Sequence, residues 1–198
     1  MKILAIVGSY RKGGIVDRAV DEILASASKE GAETKKIYLI DQTIKFCTNC
    51  RSCSQQPGQD RGRCILADDM NALLEGIEGA DAIVLGSPMN FWTVTAVMKT
   101  FIERLICFSY WPWGAHAPRI RNKRKRKRAV LVASSAAPAL LARLSSRMIK
   151  LLKIAAGLLG AKTVGILFIG LASGKEHQEI GERYRRKART LGIKLASS

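Results

Sequence analysis

Short apolar runs rich in β-branched residues alternate along this chain with segments whose apolar positions recur every three or four residues. Lys2–Val7 ends at Gly8 and reads as a strand buried on both faces. In Val16–Lys29, Val16, Ala19, Val20, Ile23, Leu24 and Ala27 share one helical face, and Gly31 marks the stop. Thr34–Ile40 reads as a second strand, followed by a polar loop that carries cysteines up to Cys64. Asp68 and Asp69 then stand before Met70, Leu73, Leu74 and Ile77, where acids suit a helix N-terminus, and Gly79 closes that helix. Asp81–Leu85 predicts a third strand, Thr93–Phe108 a helix, Ala129–Ala133 a fourth strand and Ala139–Leu159 a long helix. Thr163–Ile169 predicts a fifth strand and Glu176–Leu195 a final helix. Between them, Ser109–Arg128 has no period and is expected to be irregular, exposed or both.

Five strands alternating with helices imply right-handed crossovers and a parallel sheet covered on both faces. With 198 residues and no linker-like stretch, residues 1–198 are expected to form a single domain. Ligands of such sheets bind beyond the carboxyl ends of the strands. The loops of interest are therefore Gly8–Ile15, Gly86–Trp92 and Ser134–Pro138.

Composition changes this picture in three places. The apolar fraction of 47% argues against disorder. The longest apolar stretch, Lys150–Leu171, is broken by Lys153 and Lys162 and punctuated by Gly157, Gly160 and Gly165, short of the about 20 uncharged residues of a membrane span. It reads as a buried helix and strand. No transmembrane segment and no signal peptide are expected, and a cytoplasmic location is. The net charge is +17, and Arg119–Arg128 alone carries eight basic residues. Such a field attracts polyanions without selecting one. No recognised nucleic-acid motif accompanies the run, so no specific nucleic-acid partner is expected.

The candidate chemistry sits in the loops. Gly8-Ser9-Tyr10-Arg11-Lys12-Gly13-Gly14 joins a strand to a helix, an arrangement that brings free amides up to an anion, yet it fits neither a Walker loop nor the dinucleotide fingerprint. Gly86-Ser87-Pro88-Met89-Asn90-Phe91-Trp92 combines turn residues with large apolar ones, which suits either contact with a flat ligand or a plug of Phe91 and Trp92 in the core below the loop. Cys47-x2-Cys50-x2-Cys53, with Cys64 closing the loop, offers four thiolates. They suit a [4Fe–4S] cluster, a zinc ion or free redox-active thiols. Cys107 reads as a small core residue, and neither His116 nor His177 is assigned a catalytic role.

The first loop, Asp68-Asp69-Met70 and Gly86-Ser87-Pro88-Met89-Asn90-Phe91 together resemble the NADPH-dependent FMN reductase family, and the cysteine loop resembles its iron–sulfur flavoprotein branch. The resemblance implies a three-layer flavodoxin-like α/β fold with strand order 2-1-3-4-5. It assigns the FMN phosphate to Ser9, Arg11, Lys12, Gly14, Ile15 and Val16. The ring and ribityl chain go to Ser87, Pro88, Met89, Asn90, Phe91 and Trp92, and the pyrimidine edge to Ser134, Ser135 and Ala136. Relatives carry Asn, Ser or Thr where this chain has Ile15 and Val16, and a small residue in place of Trp92. The implied activity is NAD(P)H oxidation through FMN to a second acceptor, with the flavin supplying the chemistry and no catalytic side chain. The alternative is an electron carrier between proteins. A homodimer or homotetramer is implied, in which Trp111 and Trp113 cover a neighbour's site or serve as exposed interface residues.

Overall fold

In the computed structural model, which describes residues 1–124, 126–174 and 178–197, the chain forms a five-stranded parallel sheet between two helical layers. In chain order the elements are β1 (Lys2–Val7), α1 (Ile15–Lys29), β2 (Glu33–Tyr38), α2 (Met70–Glu78), β3 (Ala82–Pro88) and α3 (Ala96–Arg104). They continue with β4 (Ser109–Tyr110), β5 (Arg119–Ile120), β6 (Lys127–Ser134), α4 (Ala139–Ser145), α5 (Met148–Leu158), β7 (Ala161–Ile169) and α6 (Glu182–Ala196). The sheet order is β2-β1-β3-β6-β7, the order expected once the two-residue strands β4 and β5, an antiparallel pair of their own, are set aside.

Alternation along the strands builds the layers. Leu4, Ile6, Ile83, Leu85 and Leu131 face α2, α3 and α5, where Leu73, Ile77, Met98, Phe101 and Leu152 meet them. Ile3, Ala5, Val84, Val130 and Val132 face the opposite way, onto Val20 and Ile23 of α1 and Leu191 and Leu195 of α6. Helices α1 and α6 pack closely because Gly192 has no side chain: a Cβ there would lie 2.3 Å from the carbonyl oxygen of Ile23.

Several boundaries differ from expectation. β3 runs on through Gly86, Ser87 and Pro88, which pair with Val132, Ala133 and Ser134. The helix expected to reach Phe108 ends at Arg104 and tightens into a 3-10 turn over Leu105–Phe108 that buries Cys107. The long helix expected from Ala139 to Leu159 is two helices, with Ser146 extended between them at φ −113° and ψ 151°. The final helix begins at Glu182; Lys175, Glu176 and His177 lie outside the described residues. Among the described residues no helix is long and apolar enough to cross a membrane.

Candidate functional site

The chain leaves β1 and β3 in opposite directions across the sheet, which opens a crevice at their carboxyl ends. Gly8 N–H donates to the Gly86 carbonyl at 2.7 Å, Met89 N–H to Ser134 at 2.7 Å and Ser135 N–H to Ile169 at 2.9 Å, so the loops leave a single aligned edge. Thr95 locks two of them together. Its hydroxyl donates to the Gly8 carbonyl at 2.6 Å while also capping α3, and its N–H donates to the Ser87 hydroxyl.

A cavity of about 390 Å³ lies on this edge. It gathers Ser9, Arg11, Gly14, Ile15, Val16, Pro88, Met89, Asn90, Ser134, Ser135 and Ala136 from the residues expected. At its base the first amides of α1, those of Ile15, Val16 and Asp17, have no carbonyl a turn behind them and no other backbone partner among the described residues. The Gly13 amide is not free in the same way. Gly13 turns at φ +74°, and its N–H donates to the Asp17 carboxylate at 2.6 Å. Asp17 is itself buried and also accepts from Lys36 Nζ at 2.7 Å and the Tyr38 hydroxyl at 3.0 Å. Burial works against the Lys36 charge, but the hydrogen bonds to Asp17 and Asp21 outweigh it and raise the ammonium's pKa.

Four expected residues lie outside the lining. Lys12 turns away to Asp41, 2.7 Å distant, and lies over the Tyr38 ring. Ser87 is fully buried and serves the Thr95 contact. Phe91 and Trp92 form the tip of a two-residue turn closed by mutual Asn90–Thr93 hydrogen bonds, and are 98% and 62% exposed. Conversely, Tyr10, Ala172, Ser173 and Gln178 line the cavity without having been anticipated. The last three follow β7, whose carboxyl end lies on the same edge; applying the edge rule to every strand finds them. The Ser135 hydroxyl donates to the Ala137 carbonyl, and Pro138 holds the cap position of α4.

The cysteine loop makes a second site. Cys47, Cys50, Cys53 and Cys64 line one small cavity of about 20 Å³, together with Arg51 and Arg104 and sharing no residue with the first. All five cysteines are free thiols. Burial, with the charges of Cys64, Cys47 and Cys50, pushes the Cys53 thiol up to about 11, whereas the Ser52 hydroxyl beside Cys50 lowers that thiol. Asp68 and Arg104 close the loop's base. Arg104 donates to Asp68 Oδ2 at 2.5 Å and to the Lys45 carbonyl at 2.8 Å, Asp68 accepts from Lys45 N–H at 2.9 Å, and Asp69 accepts from Thr43 N–H at 2.7 Å. Asp68 also accepts from Met70 N–H at the start of α2, whereas the Asp69 side chain makes no capping bond and pins the loop only. Gly62 packs directly on the Cys53 carbonyl, leaving no room for a Cβ. Trp111 and Trp113 sit over Arg51 of the same chain.

The family model described as NADPH-dependent FMN reductase matches residues 1–174. The chain belongs to the NADPH-dependent FMN reductase family. It is thus a flavin oxidoreductase by family, and it is similar to the family's iron-sulfur flavoproteins. One from Archaeoglobus fulgidus is 32% identical over all of this chain and 80% of its own length. One from Methanocaldococcus jannaschii is 36% identical over 52% of this chain, and the match spans about half of that protein, 51%. Among solved structures, an FMN-dependent NADH-azoreductase from Bacillus anthracis in complex with FMN superposes with a TM-score of 0.73 over 100% of both chains, at 13% identity. That likeness concerns the FMN reductase fold alone.

Proposed function

We propose that the edge cavity holds FMN and that this reductase passes electrons from NAD(P)H through the flavin to a second acceptor. The supporting observation is the convergence, on one cavity of about 390 Å³, of the amides of Ile15, Val16 and Asp17, which have no partner among the described residues, with the backbone of the β3 and β6 loops. That volume lies within the range of about 300–1,000 Å³ typical of cofactor sites. Helix amides favour a phosphate dianion through hydrogen bonds and the helix dipole. Arg11 adds charge at the rim, Ser9 orients the turn, and the apolar side chains of Ile15 and Val16 leave the phosphate to the backbone. Pro88 and Met89 offer flat apolar contact, while Ser134, Ser135 and Ala136 let a ring approach the main chain. When bound, FMN accepts a hydride and releases electrons singly or in pairs. The residues bind and orient it, and none is required as acid or base.

The cysteine loop favours a further reading, in which the four thiolates hold a [4Fe–4S] cluster. Among the described residues no three metal-binding side chains gather around a single point, so the thiols would have to rearrange to hold either a zinc ion or a cluster; the count of four, all lining one cavity, matches the four ligands of a [4Fe–4S] centre. A cluster spreads its four sulfur ligands over separate irons, and the cavity would widen to admit it. In that case the reductase also exchanges single electrons with protein partners.

Titration of the flavin-free protein with FMN, followed by flavin fluorescence, tests the first reading. Saturable quenching at one equivalent is expected, and its absence overturns the assignment. Anaerobic mixing of the loaded protein with NADH or NADPH then separates enzyme from carrier: flavin bleaching supports the reductase, and a flavin reduced only by a one-electron donor supports the carrier.

A further inference from the structure

The cysteine cavity is lined by two guanidinium groups that the flavin reading leaves without a task. They are immobilised by unrelated means. Arg51 lies between Cys50 and Cys53, in left-handed backbone conformation at φ 57°. Its guanidinium lies 3.5 Å from the centroid of the Trp111 ring and 4.6 Å from that of Trp113, and its Nε is buried without a hydrogen-bond partner among the described residues. Arg104 comes from the last turn of α3, with its side chain 2% exposed and that of Asp68 0% exposed. Asp68 and the Lys45 carbonyl engage Nη1, and Nη2 donates to Cys64 Sγ at 3.5 Å and to Asp68 Oδ1 at 3.2 Å.

Burying a guanidinium is costly unless a partner needs it. Asp68 supplies one partner for Arg104 but does not account for the bond to sulfur. Stacking on two indole rings fixes Arg51 in place yet leaves its Nε unanswered. What both arginines share is the set of four thiols. A thiolate-held group gains negative charge on reduction, and hydrogen bonds to its sulfurs and nearby fixed cations favour the more negative state.

Resting on the cluster reading above, we propose that Arg51 and Arg104 set the reduction potential of the cysteine site. Arg104 acts through its hydrogen bond to Cys64 and Arg51 as a cation held in place by Trp111 and Trp113. Both make the cluster easier to reduce by one electron. The electron comes from dithionite in the experiment, and no bond at Cys64 forms or breaks. Both are positioning residues: Arg104 reaches the ligand set through Cys64, and Arg51 lines the same cavity.

The experiment begins with the parent chain, reconstituted anaerobically with iron and sulfide and assayed for both. If it takes up neither, the cluster reading falls and this inference falls with it, before any variant is made. If it loads, the parent, Arg51→Gln and Arg104→Lys are titrated with dithionite against redox dyes, and the reduced cluster is followed by electron paramagnetic resonance. Expected are midpoint potentials more negative than the parent's in both variants, with iron content and the potential of bound FMN unchanged. Arg104→Lys keeps the charge but loses the fork that reaches Asp68 and sulfur together. Arg51 is partly exposed on a loop, so Arg51→Gln decides the matter should the buried substitution fail to fold. Fully loaded variants that titrate at the parent's potential overturn the role of the arginines and leave the cluster reading standing.

Discussion

At the scale of single residues, the tip of the β3 loop carries a cost that packing does not repay. Phe91 and Trp92 stand at φ 45° and 65°, and Asn90 and Thr93 bond across them as in a tight hairpin turn. Turns with positive φ at both central positions favour Asn-Gly, because side chains crowd the backbone there. Non-glycine residues held in this region cost about 1–3 kcal/mol each. Two large aromatics, neither buried, pay for no core. Their exposure beside the proposed flavin cavity suits a wall for a second planar substrate. Replacing both, Phe91→Asn with Trp92→Gly, is expected to stabilise the fold by about 1–2 kcal/mol in urea unfolding. The same variant should raise KM for an aromatic acceptor several-fold while leaving FMN affinity near the parent's. A variant that is less stable than the parent contradicts the strain argument.

At the scale of elements, periodicity carried most of the architecture. β1 was legible to the residue and α1 within one, because a two-sided buried strand and a one-sided helix have unlike patterns. The division of α4 from α5 was not legible. Leu140, Leu141 and Leu144 continue the apolar content of the stretch, but they point outward in α4 while Met148, Leu152 and Ala155 of α5 turn inward. Content survives such a break in phase, and only tertiary contact exposes it. The same holds for the base of the cysteine loop, where Asp68 meets Arg104 across 36 residues of sequence. In the first site the backbone cradle was foreseeable from glycines at a strand end, whereas the capture of Gly13 by Asp17 depends on the turn's actual conformation.

Burial acts to raise the Asp68 carboxyl, but the hydrogen bonds from Arg104, Lys45 and Met70 prevail and hold it below the ordinary 3.8. A carboxylate with a depressed folded pKa stabilises the native state in full above its unfolded pKa and loses that contribution as pH falls through the folded value. The parent should therefore weaken in urea below about pH 4. Asp68→Asn leaves Arg104 buried without its counter-charge, an expected loss of about 3–5 kcal/mol at neutral pH. The gap between the two proteins should narrow toward acid. A gap that stays constant from pH 7 to pH 3 removes Asp68 from the pH response.

For the whole molecule, charge and exposed apolar surface pull in opposite directions. Leu140, Leu141 and Leu144 on α4 are 71%, 61% and 77% exposed, and α4 starts directly after the loop that lines the proposed flavin cavity. Covering three such leucines on each of two copies at about 2 kcal/mol apiece yields roughly 12 kcal/mol. The loss of free motion on association costs about 4–15 kcal/mol. Apolar burial alone thus leaves a dimer near balance, and the +17 of each copy opposes it. The Debye length falls from about 30 Å at 0.01 M salt to about 3 Å at 1 M, so repulsion between copies is removable. Sedimentation velocity should therefore show association that strengthens from low to moderate salt, against the trend of any interface held by ion pairs. Leu141→Glu with Leu144→Glu adds buried charge to that face and should leave a monomer at every salt concentration, with unchanged circular dichroism. Dissociation on adding salt would instead place the contact among charged groups and take α4 out of the interface.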